Sequence, residues 1–431
     1  MNRREFIGTV GVGAIAGASA RPSANAQPSD SAADIYARAY AVDAMCFAME
    51  PPPRTFVQYL TDDKIEALRT SGITAMAMNM TSNFAELSQV ENMFAAVKHR
   101  IFTWDTIVAT HPDVFRKVTT VEELNAAKRA GLVGFIYCFQ MAAPFGWDLG
   151  KLRTFAELGV RQIQLADGSR NYLVDSCWEK TNAGLSRFGF QAIEAFADLG
   201  IIVDLSHVGE QSSLDVILAS TKPVIYSHSG CLELCPHRRN VSNRNIRALA
   251  ERGGVFCIYN QSGWLTQDPE ISMDHFIAHV EHVINLGGEE AVGVGTDQDV
   301  VDMTAMRPTE VADHNRSFER RRNEFPELSW EIRHMRVPEL SHPKRLLHLA
   351  EALDARRYSP ATIEKILGGN YVRVFNEVVG CPPSNEDRDK EQRWDGVDEN
   401  GWRAAFLRSV QLADGRLRKT YRVEPPRRTR R

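Results

Sequence analysis

Eight short, β-rich apolar runs, each followed by a stretch with helical periodicity, most restrict the fold of this 431-residue chain. Near-continuous apolar strands that alternate with helices are typical of a parallel sheet whose outer side is covered. The intervening segments, such as Leu185–Leu199, place apolar residues at i, i+3 and i+4, as amphipathic helices do. Eight such units predict an α/β fold, the (β/α)₈ or TIM barrel, rather than an open sheet. The runs are Ala41–Phe47, Ile73–Met80, Leu132–Phe139, Val160–Leu165, Ile201–Ser206, Pro223–Ser227, Gly254–Asn260 and Ala291–Gly295.

The composition fits one large domain, with 43% hydrophobic and 25% charged residues. We expect the barrel to occupy residues 27–380, and the helical pattern of Pro360–Val379 predicts a C-terminal helical extension of it. Residues 381–431 form a further charged extension. The polar excursion Met303–Pro343 is either a cap over the barrel mouth or a partner surface. A net charge of −4 does not indicate a basic surface that binds nucleic acid. We interpret the basic tail Arg427–Arg431 as a solvated chain end.

Residues 1–26 have the pattern of a twin-arginine signal peptide. Arg3 and Arg4 precede a short Gly- and Ala-rich stretch, and Ala24-Asn25-Ala26 matches a cleavage site. The stretch is too short and too weakly hydrophobic for a stable membrane span, and no later run is long enough. We therefore expect a periplasmic or secreted protein.

The seven cysteines are an odd number, and none lies in a CxxC pair. We expect most of them to be small buried hydrophobes. An oxidising compartment would also permit one disulfide between two of them.

Polar residues follow the apolar runs at the points where the runs end: Asn79, Gln140, Asp167, His207, His228, Asn260 and Asp297. In a barrel of this type, the reacting groups lie at the C-terminal ends of the strands. His207 and His228 each follow a serine at the ends of neighbouring runs, within reach of one metal ion, and Asp297 closes the last run. A single histidine at such a position is more often structural. The pair together with Asp297 favours a zinc site, because imidazole and carboxylate ligands suit Zn²⁺.

Arg238 and Arg239 lie about ten residues beyond His228, on the loop that follows it. A guanidinium group there could clamp a substrate carboxylate through two hydrogen bonds. A solvated basic patch is the alternative, more so for Arg238 than for Arg239.

Longer motifs carry a resemblance to a known family. The chain is similar to the membrane (renal-type) dipeptidase family of zinc metallopeptidases over nearly all of its length beyond the signal. The matching stretches are Gly168–Asn171 with its continuation to Gly189, Gly200–Gly209 (GIIVDLSHVG), Pro223–Asn240 (PVIYSHSGCLELCPHRRN), His279–Asp299 (HVEHVINLGGEEAVGVGTDQD) and Ile366–Phe375 (ILGGNYVRVF). The resemblance implies an amidohydrolase-like barrel with two zinc ions, bridged by a glutamate, and a water that attacks dipeptide bonds.

The resemblance also assigns roles to single residues. His207 and His228 match the histidines of one zinc ion. Asp297 matches the aspartate that binds the other ion and transfers protons, and Arg239 matches the arginine that holds the substrate carboxylate. Members of the family tend to form dimers, so the resemblance also implies that this chain could form a homodimer.

The departures from the family restrict the metal site. Met45 and Phe47 replace a His-x-Asp pair, Gln140 replaces the bridging glutamate, and Asp167 replaces a substrate-binding His or Tyr. Two zinc ions carry four positive charges and need anionic ligands, which Met45, Phe47 and Gln140 do not supply. We therefore expect one divalent ion rather than two, held by His207 and His228 with Gln140, Asp297 or Asp167 as further ligands. A site without metal stays open.

Three hypotheses for the function follow. The first is a hydrolase that cleaves a dipeptide or related small amide with a metal-activated water, with Asp297 as the catalytic residue and Arg239 and Asp167 as substrate-binding residues. The second is a non-peptidase tailoring enzyme, of the lyase or isomerase type. The third is a catalytically inactive periplasmic accessory or binding protein. Fold alone does not choose among them.

Overall fold

A computed structural model describes residues 30–47, 60–81, 92–300 and 336–380 of the chain. Its strands form one parallel sheet in the order β10-β1-β2-β4-β5-β6-β7-β8-β9, with β3 paired to the start of β4. The strands are β1 Val42–Phe47, β2 Ala75–Asn79, β3 Phe115–Lys117, β4 Val133–Phe139, β5 Val160–Gln164, β6 Ile202–Asp204, β7 Ile225–Ser229, β8 Val255–Ile258, β9 Val292–Val294 and β10 Gln298–Asp299.

The last two strands close the barrel. β9 pairs with β8 and β10 pairs with β1, and only residues 295–297 separate them, so they act as one interrupted eighth strand. Gly295 lies in the interruption, where a Cβ atom would overlap the carbonyl oxygen of Ser227. Glycine is therefore needed for this close approach. Asp297 is the last residue of the interruption, and its backbone N–H donates to the carbonyl of Met45 in β1.

Helices cover the outer side of the sheet, as the alternation predicts. They are α1 Ala32–Arg38, α2 Asp62–Arg69, α3 Met93–Thr110, α4 Val121–Ala130, α5 Leu149–Glu157, α6 Arg187–Asp198, α7 Glu210–Ala219, α8 Asn243–Glu251, α9 Met273–Gly287, α10 Arg345–Ala355, α11 Pro360–Glu364 and α12 Asn370–Val379. Short 3₁₀ turns occupy Glu289–Ala291 and Pro338–Leu340, and a π-type turn at Lys365–Gly369 joins α11 to α12.

The helix α12 plugs the N-terminal end of the barrel. Its buried residues Tyr371, Val374 and Phe375 pack in one apolar cluster with residues at the starts of the strands, including Ile202 and Ile225. The Tyr371 hydroxyl also donates to Oε1 of Gln162 inside the barrel at 2.8 Å. This end is filled, so the functional site lies at the opposite, C-terminal end of the strands.

All eight apolar runs form strands, so the predicted fold class is confirmed. The structure adds β3, which the sequence did not predict because it is only three residues long. The sequence predicted that the strand continues to Ser206 and ends at His207. In the structure β6 ends at Asp204, and Ser206 and His207 lie in the turn that follows. The amphipathic pattern of residues 185–199 forms α6, and that of 360–379 forms α11, the π-type turn and α12.

Several predictions fall outside the described residues: the signal peptide 1–26, the 381–431 extension and most of the 303–343 excursion. The structure describes six of the cysteines, and all six are free thiols. The disulfide that the sequence left undecided is therefore not found among these six. Within the described ranges, no helix is both long enough and apolar enough to cross a membrane.

Candidate active site

His207 and Asp297 have an unusual backbone conformation. Their φ angles are 65° and 53°, in the left-handed region that glycine favours. Among the described non-glycine residues, only Arg357 shares it, at 64°. Strained backbone concentrates at functional sites, where the surrounding structure holds it in place. This feature independently marks two of the residues that the sequence selected.

Asp167 lies beside the ring of His207. Oδ1 of Asp167 lies 3.1 Å from Nδ1 of His207. The contact is electrostatic, since the two atoms are not aligned as a hydrogen bond. The sequence predicted Asp167 as a substrate-binding residue or a further metal ligand. The structure places it beside His207, and its predicted roles stay predictions.

A buried relay orients the ring of His228. The Ser227 hydroxyl donates to Oδ2 of Asp204, and its oxygen lies 2.7 Å from Nδ1 of His228. The hydroxyl proton is used on Asp204, so Nδ1 of His228 donates to Ser227 and Nε2 is the ring nitrogen without a proton. Burial, with the positive charges of Arg239 and Arg336, lowers the pKa of His228 well below its ordinary value. His228 is therefore neutral, as a metal ligand must be.

The two rings meet at their Nε2 atoms. Nε2 of His207 lies 3.1 Å from Nε2 of His228, and the ring centroids are 5.1 Å apart. Without an ion between them, one Nε2–H donates to the other nitrogen, and an ion bound there would take both nitrogens as ligands in place of that proton. Nitrogen ligands bound at about 2.0–2.1 Å to a tetrahedral zinc ion are roughly 3.3 Å apart, close to the observed separation. The pair therefore fits two ligands of one ion.

Gln140 lies next to this pair at the end of β4. Its Nε2 is 3.4 Å from Nε2 of His228, and its Oε1 accepts a hydrogen bond from Nδ2 of Asn79 at 2.7 Å. The side chain is neutral, so it offers an amide dipole where a bridging ligand would need a negative charge.

The last described residues of β1, Met45, Cys46 and Phe47, carry no carboxylate. Met45 is fully buried and packs with Ala77 and Cys138 in a small apolar cluster. Phe47, at the end of the strand, is half-buried. The carboxylate within β1, that of Asp43, accepts a hydrogen bond from Arg345 in the barrel wall.

Asp43 closes a buried ion pair with Arg345 of α10. Its Oδ2 accepts from Nε of Arg345 at 2.8 Å and from Oγ1 of Thr296 at 2.6 Å. Both charged side chains are fully buried. The pair fixes β1 against the interrupted eighth strand, immediately before Asp297.

Asp297 faces a positive charge that the sequence did not predict. Its backbone N–H donates to the carbonyl of Met45 at 3.0 Å. Nη1 of the buried Arg336 donates to the carbonyls of Asn260 and of Thr296, the residue before Asp297, at 2.8 and 3.1 Å. Burial lowers the pKa of Arg336, and the Asp297 carboxylate opposes this shift. Nothing in the sequence marked Arg336, whereas Asp204 could have been noticed as a charged residue within an apolar strand.

Arg239 is fixed beside the pair. Its Nη1 donates to Oγ of Ser229 at 3.0 Å and its Nη2 to the carbonyl of His228 at 2.6 Å. The guanidinium group also lies against the rings of Tyr259 and Trp264, 5.4 and 5.8 Å from their centroids. The buried Nε atom has no hydrogen-bond partner among the described residues. Arg239 thus keeps a donor for a ligand, and its carboxylate-binding role stays a prediction.

Two cavities open at the mouth. The larger, of about 400 Å³, is lined by His207, Arg238 and Arg239. The smaller, of about 220 Å³, is lined by Asp167 and by the loop residues that follow it as far as Tyr172. His207 and Asp167, which touch each other, therefore lie between the two cavities.

The donors present fit one metal ion only in part. His207 and His228 have the spacing of two ligands. Among the residues that the structure describes, no three His, Cys, Asp or Glu side chains form a group that could hold a metal ion. The predicted acidic ligand Asp297 is therefore not assembled with the two histidines. Two imidazoles, with solvent or the Gln140 amide, are the donors that an ion would find.

Comparisons with known proteins give one family. The model of the family described as Membrane dipeptidase (Peptidase family M19) matches residues 53–316, more than half of the chain. Dipeptidase tcpJ of Claviceps purpurea (strain 20.1) is 28% identical over 318 residues, which cover 71% of this chain and 67% of the relative. Dipeptidase verJ of Clonostachys rogersoniana is 30% identical over 227 residues, which cover 52% of this chain and 58% of the relative.

A solved structure agrees with the observed architecture. An amidohydrolase from Pseudomonas aeruginosa superposes with a TM-score of 0.67 at 26% sequence identity. The superposition covers 81% of this chain and 100% of that structure.

Proposed function

Since the chain belongs to the membrane dipeptidase family of metallopeptidases, we propose that it hydrolyses a dipeptide or related small amide at a site with one divalent ion, zinc in the first instance. His207 and His228 would hold the ion. The family supports a hydrolase and a divalent metal. The single ion, the substrate and the residue roles below are our proposal.

One observation carries this proposal: the 3.1 Å separation of the two Nε2 atoms. The Ser227 hydroxyl holds the proton of the His228 ring on Nδ1, and the Asp167 carboxylate lies 3.1 Å from Nδ1 of His207. Such second partners orient metal-binding histidines and make them stronger ligands. When bound, a divalent ion supplies Lewis acidity, which polarises a carbonyl group and makes water more acidic.

The chain's own residues supply the remaining steps. Arg239, through its buried Nε, anchors the substrate carboxylate in the larger cavity. Asp297 takes a proton from the attacking water as general base. It then gives the proton to the leaving amide nitrogen as the C–N bond breaks, so that one water is consumed for each bond cleaved. The buried guanidinium of Arg336 places a positive charge near the Asp297 carboxylate.

A second ion does not fit. The family's first-strand ligands are replaced by Met45, which packs in an apolar cluster, and by Phe47, which has no donor atom. Gln140 removes a further negative charge. The electrostatic cost of a second divalent ion would therefore not be offset.

We also propose that the protein acts outside the cytoplasm, in the periplasm or after secretion. The twin arginines Arg3 and Arg4 support this. Cell fractionation of the full chain and of an R3K/R4K variant tests it. We expect the variant to stay in the cytoplasm, and equal export of both would contradict the proposal.

A second candidate is a non-peptidase enzyme that works without metal. The apolar packing of Met45 and the absence of a three-residue ligand group among the described residues favour it. His207, with Asp167 behind it, would then act as a general acid–base in a lyase or isomerase step. This candidate predicts that activity survives exhaustive chelation.

The test is elemental analysis of the natively exported protein, followed by hydrolysis assays on a broad dipeptide and acyl-amino-acid panel. We expect about one divalent ion per chain and cleavage that chelation abolishes and metal restores. His228→Ala should lose metal and activity, whereas His99→Ala, an exposed histidine on α3, should keep both. Two ions per chain would contradict the single-ion site. No cleavage of any substrate by metal-replete protein would refute the hydrolase and leave a binding role.

A further inference from the structure

An exposed aromatic ledge borders the smaller cavity. It consists of Trp147, in the loop after β4, Tyr172, in the loop after β5, and Phe188, in the first turn of α6. The ring of Trp147 lies 4.3 Å from that of Tyr172 and 5.0 Å from that of Phe188, centroid to centroid. Trp147 is 62% exposed and Tyr172 is 45% exposed. Grouped exposed aromatic rings at a cavity mouth are typical of a binding surface.

The ledge is continuous with the active site. Tyr172 and Asp167 line the same cavity of about 220 Å³, and the Asp167 carboxylate touches the ring of His207. The loop between them is fixed, because Oδ1 of Asn171 accepts the backbone N–H of Leu173 at 2.9 Å. The cavity therefore extends from Asp167, beside His207, to Tyr172 at the edge of the ledge.

The charge of the cavity restricts its ligand. Arg170 also lines it, but its guanidinium pairs with Asp175 at 3.2 Å and with Glu179 at 3.4 Å. Its positive charge is thus already offset by two carboxylates. The Asp167 carboxylate in the wall accepts hydrogen bonds, so the cavity favours a group that donates them, such as an ammonium, over an anionic one.

From these observations we infer that the smaller cavity binds the amino-terminal residue of the substrate and prefers an aromatic side chain there. The α-ammonium group lies at Asp167, and the aromatic ring lies on Trp147 and Tyr172. Arg239 is in the other cavity, across His207, so the carboxyl-terminal part of the substrate lies on that side. This inference rests on the proposed function, because it assumes that the substrate spans the histidine pair.

The test measures binding separately from cleavage. Isothermal titration of the metal-replete protein uses three unhydrolysable isosteres, in which a ketomethylene group replaces the scissile amide of Phe-Gly, Ala-Gly and Asp-Gly. We expect the Phe isostere to bind about five- to tenfold more tightly than the Ala isostere, the gain of a stacked aromatic pair. The Asp isostere should bind more weakly than the Ala isostere, and N-acetylation of the Phe isostere should weaken it.

Substitutions assign the preference to the ledge. Trp147→Ala and Tyr172→Ala should each reduce the ratio of Phe to Ala affinity to about twofold or less, and Trp147→Phe should keep most of it. Phe102→Ala is the matched control, because Phe102 is 51% exposed on α3 and lines neither cavity, and it should keep the full ratio. Trp147 and Tyr172 are largely exposed, so these variants should fold.

The outcomes separate the two proposals. A ratio near one in the unsubstituted protein, a ratio unchanged in both ledge variants, or no binding of any isostere would overturn the aromatic subsite. Binding with the expected ratio, but without cleavage of Phe-Gly, would refute the hydrolase and leave the subsite standing. Cleavage of Phe-Gly without an aromatic preference in binding would support the hydrolase and overturn the aromatic subsite.

Discussion

Replacing Ser227 with alanine removes the hydroxyl that joins Asp204 to the ring of His228. In the structure, this hydroxyl donates to Oδ2 of Asp204, and its oxygen lies 2.7 Å from Nδ1 of His228. Without it, the ring loses the acceptor that keeps its proton on Nδ1. The ring form with an unprotonated Nε2 would then be present for only part of the time, and the ring would be less well oriented.

The structure sets the size of the effect. Loss of a second partner of a metal-binding histidine typically lowers metal affinity by about 10- to 100-fold, or roughly 1.4–2.7 kcal/mol. Asp204 is fully buried and burial raises its pKa, but it keeps the backbone N–H donors of Ser206 and Ser227, each at 2.9 Å. The variant loses one hydrogen bond to a charged group and leaves the buried Nδ1–H of His228 without its acceptor, so we expect the free energy of unfolding to fall by about 3 kcal/mol.

The assay is a competition titration of zinc against a chromophoric chelator, together with urea unfolding followed by circular dichroism. Ser262→Ala is the control, because Ser262 is also fully buried and its hydroxyl has no hydrogen-bond partner among the described residues. The control should change neither quantity appreciably. If Ser227→Ala binds zinc as tightly as Ser262→Ala, the hydroxyl does not set the proton position of His228 and the reasoning is wrong.

Three further predictions concern the barrel wall, acid stability and the missing charge. Arg345→Met leaves the buried Asp43 carboxylate without its counter-ion and should lower the free energy of unfolding by about 3–5 kcal/mol, whereas the double variant with Asp43→Asn should recover part of this loss in urea titrations. Burial lowers the pKa of His279 to about 4, so the unfolded chain binds a proton that the folded protein does not between about pH 6.5 and 4, and stability falls as pH falls. Between pH 7 and 5 the free energy of unfolding should fall by about 2 kcal/mol for this reason. His279→Asn should remove this contribution from the pH dependence measured by urea unfolding. An unchanged pH dependence would contradict the assignment to His279. Gln140→Glu puts a carboxylate beside His228 and should raise zinc affinity by about tenfold or more, as measured by the same competition titration; equal affinity would show that Gln140 lies outside the metal's reach.

The sequence by itself determined the barrel and the identity of its main polar residues. Strand and helix patterns depend on residues close together in the chain, so the eight runs were visible without any long-range contact. Because parallel strands in a barrel all end at one face, the polar residues after those runs had to meet there. His207, His228 and Asp297 were found in this way, and the family followed from the motifs around them. The replacements Met45, Phe47 and Gln140 were equally plain in the sequence.

Only the tertiary structure decided how these groups act on one another. The contact of Asp167 with His207, the relay through Ser227, and the 3.1 Å spacing of the two Nε2 atoms join residues from different strands and loops. Their geometry depends on register, loop course and rotamer, which local patterns do not encode. The same holds for Arg336, which reaches the Asp297 region from the end of a long excursion, and for the left-handed backbone of His207 and Asp297. Residue types selected the chemistry, and the packing between distant segments set the protonation, charge and spacing on which that chemistry depends.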